Sequence, residues 1–205
     1  MAALKRRSDR TGTPSDLLVV GLGNPGDEYA GTRHNLGVEV VELLCDRHGG
    51  RLRAEKGSVL TDTIRIGDHR VGLAFPLTYM NESGRAVKPL VRRHSIDDLT
   101  KLVIIHDELD LPVGRLKLKL GGGLAGNNGL KSIKQHLGTA DFTRIRLGIG
   151  KPPGRQSGAD YVLRRPAKAE RPELDVMVAE AADAVEMLVA QGLEPTMNRY
   201  NTADR

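Results

Sequence analysis

An unbroken apolar run followed at once by a glycine-rich loop constrains this chain more than any other feature. Residues 17–20 read Leu-Leu-Val-Val, and the next six residues read Gly-Leu-Gly-Asn-Pro-Gly. A short apolar run without alternation predicts a strand buried on both faces, and clustered glycine and proline end it abruptly. Open α/β sheets place their binding and catalytic residues where such strands end. We therefore expect an α/β protein whose site lies beside this loop.

A histidine stands near the mouth of that loop. His34 comes directly before apolar residues with helical spacing at Leu36, Val40, Val41 and Leu44, which predict a helix that ends near residue 48. Cys45 falls within the same apolar pattern, so we interpret it as a core residue and not as a nucleophile. The chain has this one cysteine, which indicates a reducing compartment.

The glycines at 21, 23 and 26 also match the G-x-G-x-x-G pattern of dinucleotide-binding proteins. That pattern binds a pyrophosphate only where a helix begins at its last glycine. Asp27 and Glu28 follow Gly26 and would put carboxylates where the phosphates bind. We therefore expect no nicotinamide or flavin cofactor.

Titratable residues end a second buried run. Residues 102–105 are apolar, and His106, Asp107, Glu108 and Asp110 follow them. The acids do not have the alternate spacing of a calcium loop, and no paired histidines or cysteines accompany them, so we expect no metal. They could serve a site at the strand end or only solvate a turn, and for Glu108 and Asp110 we favour the turn.

A cationic strand and a third glycine loop come next. In residues 115–120, leucines alternate with Arg115, Lys117 and Lys119, which predicts a half-buried strand whose cations either contact phosphates or are merely solvated. Residues 121–129 then lead into a predicted helix, where Asn128 either caps the helix or faces a ligand.

The remaining pattern completes the fold class. We expect a hairpin or two neighbouring strands over residues 59–75, and then a helix capped by Ser83 that Pro89 either bends or delays by one turn. A strand over 142–150, a long loop over 151–172 and a last helix that Gly192 ends follow. These elements predict a single-domain α/β three-layer sandwich over residues 17–205, with a mixed, mainly parallel twisted sheet flanked by helices. Residues 1–16 are polar and basic, and we expect them to form a disordered arm.

The composition limits the partners. The net charge is +5, with 31 basic against 26 acidic residues, which permits a polyanionic partner without requiring one. Aromatic residues make up 3% and tryptophan is absent, so binding of single strands by base stacking is disfavoured. We see no membrane span or secretory signal and expect a cytoplasmic monomer.

Several blocks together resemble one family. The segments GLGNPGDEYAGTRHN, PLTYMNESGRAV, HDELDLP, GGGLAGNNGLKSI and FTRIRLGIG are similar, in the same order, to bacterial-type peptidyl-tRNA hydrolases. The resemblance implies hydrolysis of the ester between peptide and tRNA without a cofactor. It implies that His34 is the general base and that Asp107 orients its ring.

The resemblance also implies roles for seven other residues. An amide site for the peptide is implied at Asn24, Asn81 and Asn128, with Tyr29 and Met80 as its apolar wall. Lys119 and Arg146 are implied to bind the terminal phosphate of the tRNA acceptor stem.

The third block departs from the family at one point. The family usually has histidine immediately before the asparagine at 128, where this chain has Asn127, and its loop often contains histidine where this chain has Leu124 and Ala125. A non-catalytic RNA-binding relative, of the kind that serves in organellar intron splicing, is therefore the alternative function.

Overall fold

The computed structural model describes residues 14–202, and within them the chain forms one seven-stranded sheet. The strands are β1 (Leu17–Gly21), β2 (Arg53–Glu55), β3 (Val59–Ile66), β4 (His69–Pro76), β5 (Leu102–Glu108), β6 (Leu116–Leu120) and β7 (Thr143–Gly148). Their order across the sheet is β2-β3-β4-β1-β5-β7-β6. The four central strands are parallel, and β2, β3 and β6 are antiparallel to their neighbours. The mixed sheet is the one expected.

Helices cover both faces of this sheet. They are α1 (Leu36–Arg47), α2 (Ser83–Arg93), α3 (Asn128–Leu137), α4 (Gly158–Val162), α5 (Arg171–Gln191) and α6 (Leu193–Asn201). One hydrophobic core joins the sheet to α1 and α5, and a second joins its other face to α2 and α3. The predicted three-layer sandwich is confirmed.

The structure corrects some local expectations. Ser83 does not cap α2, because its hydroxyl donates to the Met80 carbonyl at 2.7 Å from the first position of the helix. Pro89 lies inside α2, which continues to Arg93. The sequence patterns gave no sign of β2 or α6, and they assigned α4 to a loop.

The predicted arm falls mostly outside the described residues, which begin at 14. Ser15 and Asp16 are nevertheless hydrogen-bonded: the Ser15 amide donates to His94, and the Asp16 amide donates to Arg70. These two residues of the predicted arm are therefore joined to the backbone of β4 and of the segment after α2.

Two glycines let α1 approach the sheet at backbone distance. A Cβ added to Gly21 would lie 2.1 Å from the Gly37 carbonyl oxygen, and one added to Gly37 would lie 2.4 Å from that of Ile105. The Leu22 amide donates to the same Ile105 oxygen at 2.9 Å. This contact places the start of α1, and with it His34, against the ends of β1 and β5.

We expect Gly37→Ala to lower the free energy of unfolding by about 1–3 kcal/mol, because the added methyl meets fixed backbone atoms. The loss should exceed the roughly 1 kcal/mol that alanine gains over glycine inside a helix. Urea denaturation measures it. Gly123→Ala is the control, since nothing lies within 4 Å of its added Cβ. Equal stability of wild type and Gly37→Ala would contradict the close contact.

Candidate active site

A cavity of about 460 Å³ opens where β1, β4 and β5 end. Its walls come from segments far apart in the chain. The lining residues are Asn24, His34, Tyr79, Met80, Asn81, Asp107, Glu108, Leu109, residues 125–128, Gly158, Ala159, Val162 and Leu163. The cavity therefore lies at the carboxyl ends of the central strands, where the sequence places the site.

The structure brings His34 and Asp107 into direct contact. Nδ1 of His34 lies 2.9 Å from one carboxylate oxygen of Asp107 and 3.0 Å from the other. Because an ionised carboxylate only accepts hydrogen bonds, Nδ1 carries the proton in this pair. Nε2 is then left with its lone pair, which is the arrangement a general base requires.

Burial and charge act in opposite directions on this histidine. Burial lowers the pKa of His34, but the charge of Asp107 and its hydrogen bond raise it, and the resulting pKa lies above its usual value. Asp107 thus stabilises the imidazolium that forms when the ring accepts a proton.

Both neighbours of His34 fix its position. Arg33 is buried and binds Glu170, with 2.5 Å between Nη2 and Oε2, while its guanidinium stacks over Tyr161 at 4.2 Å. On the other side, the Asn35 side chain donates to the Asn24 carbonyl and accepts from the Asn24 amide, each at 2.9 Å. The short 3-10 helix Arg33–Asn35 is therefore held at both ends. Neither neighbour stands out as a site residue in the sequence pattern.

Asn24 faces the cavity with a defined end of its amide. Its Oδ1 accepts a hydrogen bond from the Met80 amide at 2.8 Å. The side-chain nitrogen is then the end left for a ligand, and it is a donor. Asn24 therefore suits a substrate carbonyl oxygen.

The other amides and the apolar wall are only partly as expected. Asn81, Asn128 and Met80 all line the cavity. Tyr29 does not line it, and the aromatic ring there belongs to Tyr79, whose exposed fraction is 58%. Tyr29 lies in a turn, where its carbonyl accepts from Thr32, and its expected contact with the peptide stays a prediction.

Asn127, which replaces the family's usual histidine, caps α3. Its Oδ1 accepts from the Leu130 amide at 3.1 Å, and its own backbone is extended. Asn128 is instead the first residue of the helix, and its side-chain oxygen accepts from the exposed Lys131 amine at 3.4 Å. The departure at 127 thus has a structural role, since asparagine is among the preferred N-cap residues.

A cationic face lies on β6 and β7 beside the cavity. Lys117 pairs with Arg146 and Lys119 with Arg144, so all four side chains start from the same face of the sheet. Lys119 is exposed, but Arg144 is almost fully buried and donates to the carbonyls of Gly121 and Gly123. Arg144 therefore supports the glycine loop that leads to Asn127.

Glu108 corrects a further expectation. It does not solvate a turn, because its side chain is 2% exposed and accepts from Nε of Arg146 at 3.0 Å. Asp110, by contrast, is exposed and lies 3.6 Å from the Lys151 amine. The register of β5 on β7, which the sequence does not reveal, makes the difference.

Helix α4 lies within the segment for which the sequence pattern predicted only a loop. Ser157 accepts from the Asp160 amide at 3.1 Å and donates to the Asp160 carboxylate at 2.8 Å. Serine followed three residues later by an acidic residue is a helix-start pattern, and it was available in the sequence.

Three observations concern a dinucleotide site, a metal site and a membrane-spanning helix. After β1 no helix begins at Gly26, so the dinucleotide geometry is not formed. Among the described residues, no group of three or more His, Cys, Asp or Glu side chains is placed to hold a metal ion. None of the helices within residues 14–202 has the length and hydrophobicity needed to cross a bilayer.

The fold and the cavity define a class: an α/β protein with a histidine–carboxylate pair and neutral amides at the ends of its central parallel strands. Residues 18–205 match the family described as peptidyl-tRNA hydrolase. The chain therefore belongs to the peptidyl-tRNA hydrolase family, enzymes that hydrolyse the ester bond between peptide and tRNA.

Relatives along the whole chain agree with this assignment. The peptidyl-tRNA hydrolase of Frankia alni is 50% identical over 194 residues, which cover 93% of this chain and 98% of that protein. The enzyme of a Mycobacterium sp. (strain KMS) is 52% identical over 183 residues, or 89% of this chain and 95% of that one. The crystal structure of the Acinetobacter baumannii hydrolase has a TM-score of 0.85 at 38% identity and covers 93% of this chain and 97% of its own. These relatives favour the hydrolase over the non-catalytic alternative.

We expect the imidazole of His34 to titrate above the ordinary histidine pKa of about 6.5, and Asp107→Asn to lower that pKa because burial then acts without the opposing charge. NMR titration of the histidine rings measures both values. His94, whose pKa is lowered by burial and by Arg93, serves as an internal control that should not respond. An unchanged His34 titration in Asp107→Asn would contradict the pairing.

We expect Asn127→Ala to cost about 1 kcal/mol of unfolding free energy, because it removes the cap of α3, whereas Asn127→Ser should retain most of the stability. Thermal unfolding measures the difference. Asn128→Ala is the matched control and should be nearly neutral, since the contact of its side chain with Lys131 is exposed. Equal losses at 127 and 128 would show that the cap is misassigned.

Proposed function

We propose that His34 and Asp107 are the catalytic residues of peptidyl-tRNA hydrolysis, with water as the nucleophile. The observation that carries this proposal is the 2.9 Å contact between the His34 ring and the Asp107 carboxylate at the cavity. Nε2 of His34 takes a proton from the water as it attacks the ester carbonyl. The proton then passes to the 3′ oxygen of the leaving ribose.

The amides bind the peptide next to this pair. Asn24 donates from its side-chain nitrogen to a carbonyl oxygen of the substrate, and Asn81 and Asn128, which line the same cavity, contribute further amides. General-base help is worth about 10²–10⁴ in rate and one oxyanion donor about 10²–10³, so the histidine and at least one donor act together. Uncharged amides suit a peptide backbone of any sequence, and Met80 and Tyr79 form the apolar wall.

The tRNA lies over the cationic face. Lys119 and Arg146 bind a phosphate of the acceptor stem, which places the ester at the nearby cavity. The enzyme works in the cytoplasm. It acts as a monomer and needs no metal, because the base, its orienting carboxylate and the amide donors are all supplied by one chain.

We expect His34→Ala to lower kcat/KM on N-acetylaminoacyl-tRNA by at least about 10²-fold, because the general base is lost. Release of the blocked amino acid is the measurement, with unblocked aminoacyl-tRNA as the parallel substrate that should stay intact. His69→Ala, at an exposed histidine on β4, is the matched control and should keep full activity. A wild type that binds tRNA but releases nothing would establish the non-catalytic alternative instead.

We expect Lys119→Ala and Arg146→Ala each to flatten the dependence of log Kd on log salt by about one, since each variant loses one phosphate contact. Titration of tRNA at several salt concentrations gives the slope. Lys151→Ala, at an exposed lysine bound to Asp110, is the control and should leave it unchanged. Slopes equal to that of the wild type would remove both residues from the tRNA site.

A further inference from the structure

Glu108 stands where the catalytic cavity meets the cationic face. It lines the same cavity as Asp107, its neighbour in β5. Successive side chains of a strand point to opposite faces of the sheet. Asp107 accordingly reaches His34 on one face, and Glu108 reaches Arg146 on the other. Two adjacent residues of one strand thus contact the proposed general base and the proposed phosphate ligand.

Both oxygens of the Glu108 carboxylate are engaged. Oε2 accepts from Nε of Arg146 at 3.0 Å, and Oε1 accepts from the Asp110 amide at 3.2 Å. His106 pairs with Arg146 in the register of β5 on β7, so Glu108 and Arg146 are diagonal neighbours. Every residue of β5 is buried, which makes this carboxylate a rigid support.

The contact with Glu108 uses only one of the three guanidinium nitrogens of Arg146. Within residues 14–202, Nη1 and Nη2 of Arg146 have no hydrogen-bond partner, and its side chain is 20% exposed. A guanidinium offers its N–H groups in a fixed planar fork, so holding Nε sets the direction in which the other two nitrogens point. That pair matches the oxygens of a phosphate.

We propose that Glu108 is a positioning residue for hydrolysis. It holds Arg146 so that the terminal nitrogens meet the tRNA phosphate at a fixed distance from His34 and Asp107. This inference rests on the proposed phosphate contact of Arg146. The negative charge of Glu108 also repels the nearby phosphate. The gain from orienting Arg146 must therefore exceed this electrostatic repulsion.

Two substitutions separate position from charge. Glu108→Gln keeps the length and one carbonyl acceptor but removes the charge. Glu108→Asp keeps the charge but is one methylene shorter, so it no longer reaches Nε. Arg146→Lys keeps the positive charge and the buried carboxylate but removes Nε together with both terminal nitrogens, so it shows the effect of losing the whole oriented fork at constant charge. Asp110→Asn, at the exposed carboxylate nearby, is the matched control.

Three readouts are measured for each variant. They are KM and kcat on N-acetylaminoacyl-tRNA, the salt slope of tRNA binding, and kcat/KM on N-acetylaminoacyl-adenosine, an ester without a phosphate. We expect Glu108→Asp and Arg146→Lys to raise KM about tenfold, as loss of a charged hydrogen bond predicts, and to flatten the slope. Both should leave the phosphate-free ester within about twofold of wild type. Glu108→Gln should stay closer to wild type in KM, and Asp110→Asn should match it.

Other results would overturn the inference. If Glu108→Asp and Arg146→Lys keep the wild-type KM and slope, the bond positions nothing. If Glu108→Gln tightens tRNA binding and Glu108→Asp has no effect, the carboxylate acts only through its charge. Equal losses on both substrates would place Glu108 in the chemistry itself.

Arg146→Ala distinguishes this failure from failure of the proposed function. If Arg146→Ala flattens the salt slope while Glu108→Asp and Arg146→Lys do not, the phosphate contact stands and only the role of Glu108 is lost. If Arg146→Ala leaves the slope unchanged, the phosphate contact and the role of Glu108 are both overturned.

Discussion

The hydrogen bond between His34 and Asp107 is the interaction around which the other residues of the site are arranged. It joins two residues that are 73 positions apart, and both side chains are largely buried. Parallel pairing of β1 with β5 brings their ends together, and the backbone contact at Gly21 and Gly37 presses the start of α1 against them. Arg33 and Asn35 then fix the histidine from both sides. The position of the proposed base is therefore a product of the fold as a whole.

Around this pair the site relies on amides whose orientation is set by the backbone. The Met80 amide determines which end of Asn24 faces the cavity. The Asn127 side chain caps α3, so that the helix begins at Asn128. Arg144 supports the preceding loop through two of its carbonyls, although burial lowers the pKa of its guanidinium. Donors that are oriented before a substrate binds need no reorganisation during a reaction, and this supports the proposed role of Asn24.

Much of this molecule is encoded in local sequence pattern. The apolar runs predict β1 and β5, helical spacing predicts α1 and α5, and the resemblance identifies His34 and Asp107. Two of the misses, the contact of Glu108 with Arg146 and the place of Tyr79, depend on which segments become neighbours in the fold. The pairing of β5 with β7 places the Glu108 carboxylate beside Arg146, and neither this contact nor the presence of Tyr79 at the cavity follows from spacing along the chain. The cap of α3 is a different case: Asn128 was offered as the cap, but the helix begins one residue earlier than that and Asn127 caps it, although asparagine suits an N-cap at either position.

The proposal that His34 acts as a base held by Asp107 is tested most sharply by the pH dependence of kcat/KM in wild type and Asp107→Asn. Only the neutral ring is a base, so activity should rise with pH through the raised pKa of His34. Asp107→Asn removes the charge that raises that pKa, so its activity should rise at lower pH and reach a lower plateau. A rise at the same pH in both proteins would contradict the account, because the titrating group would then not be a histidine held by Asp107.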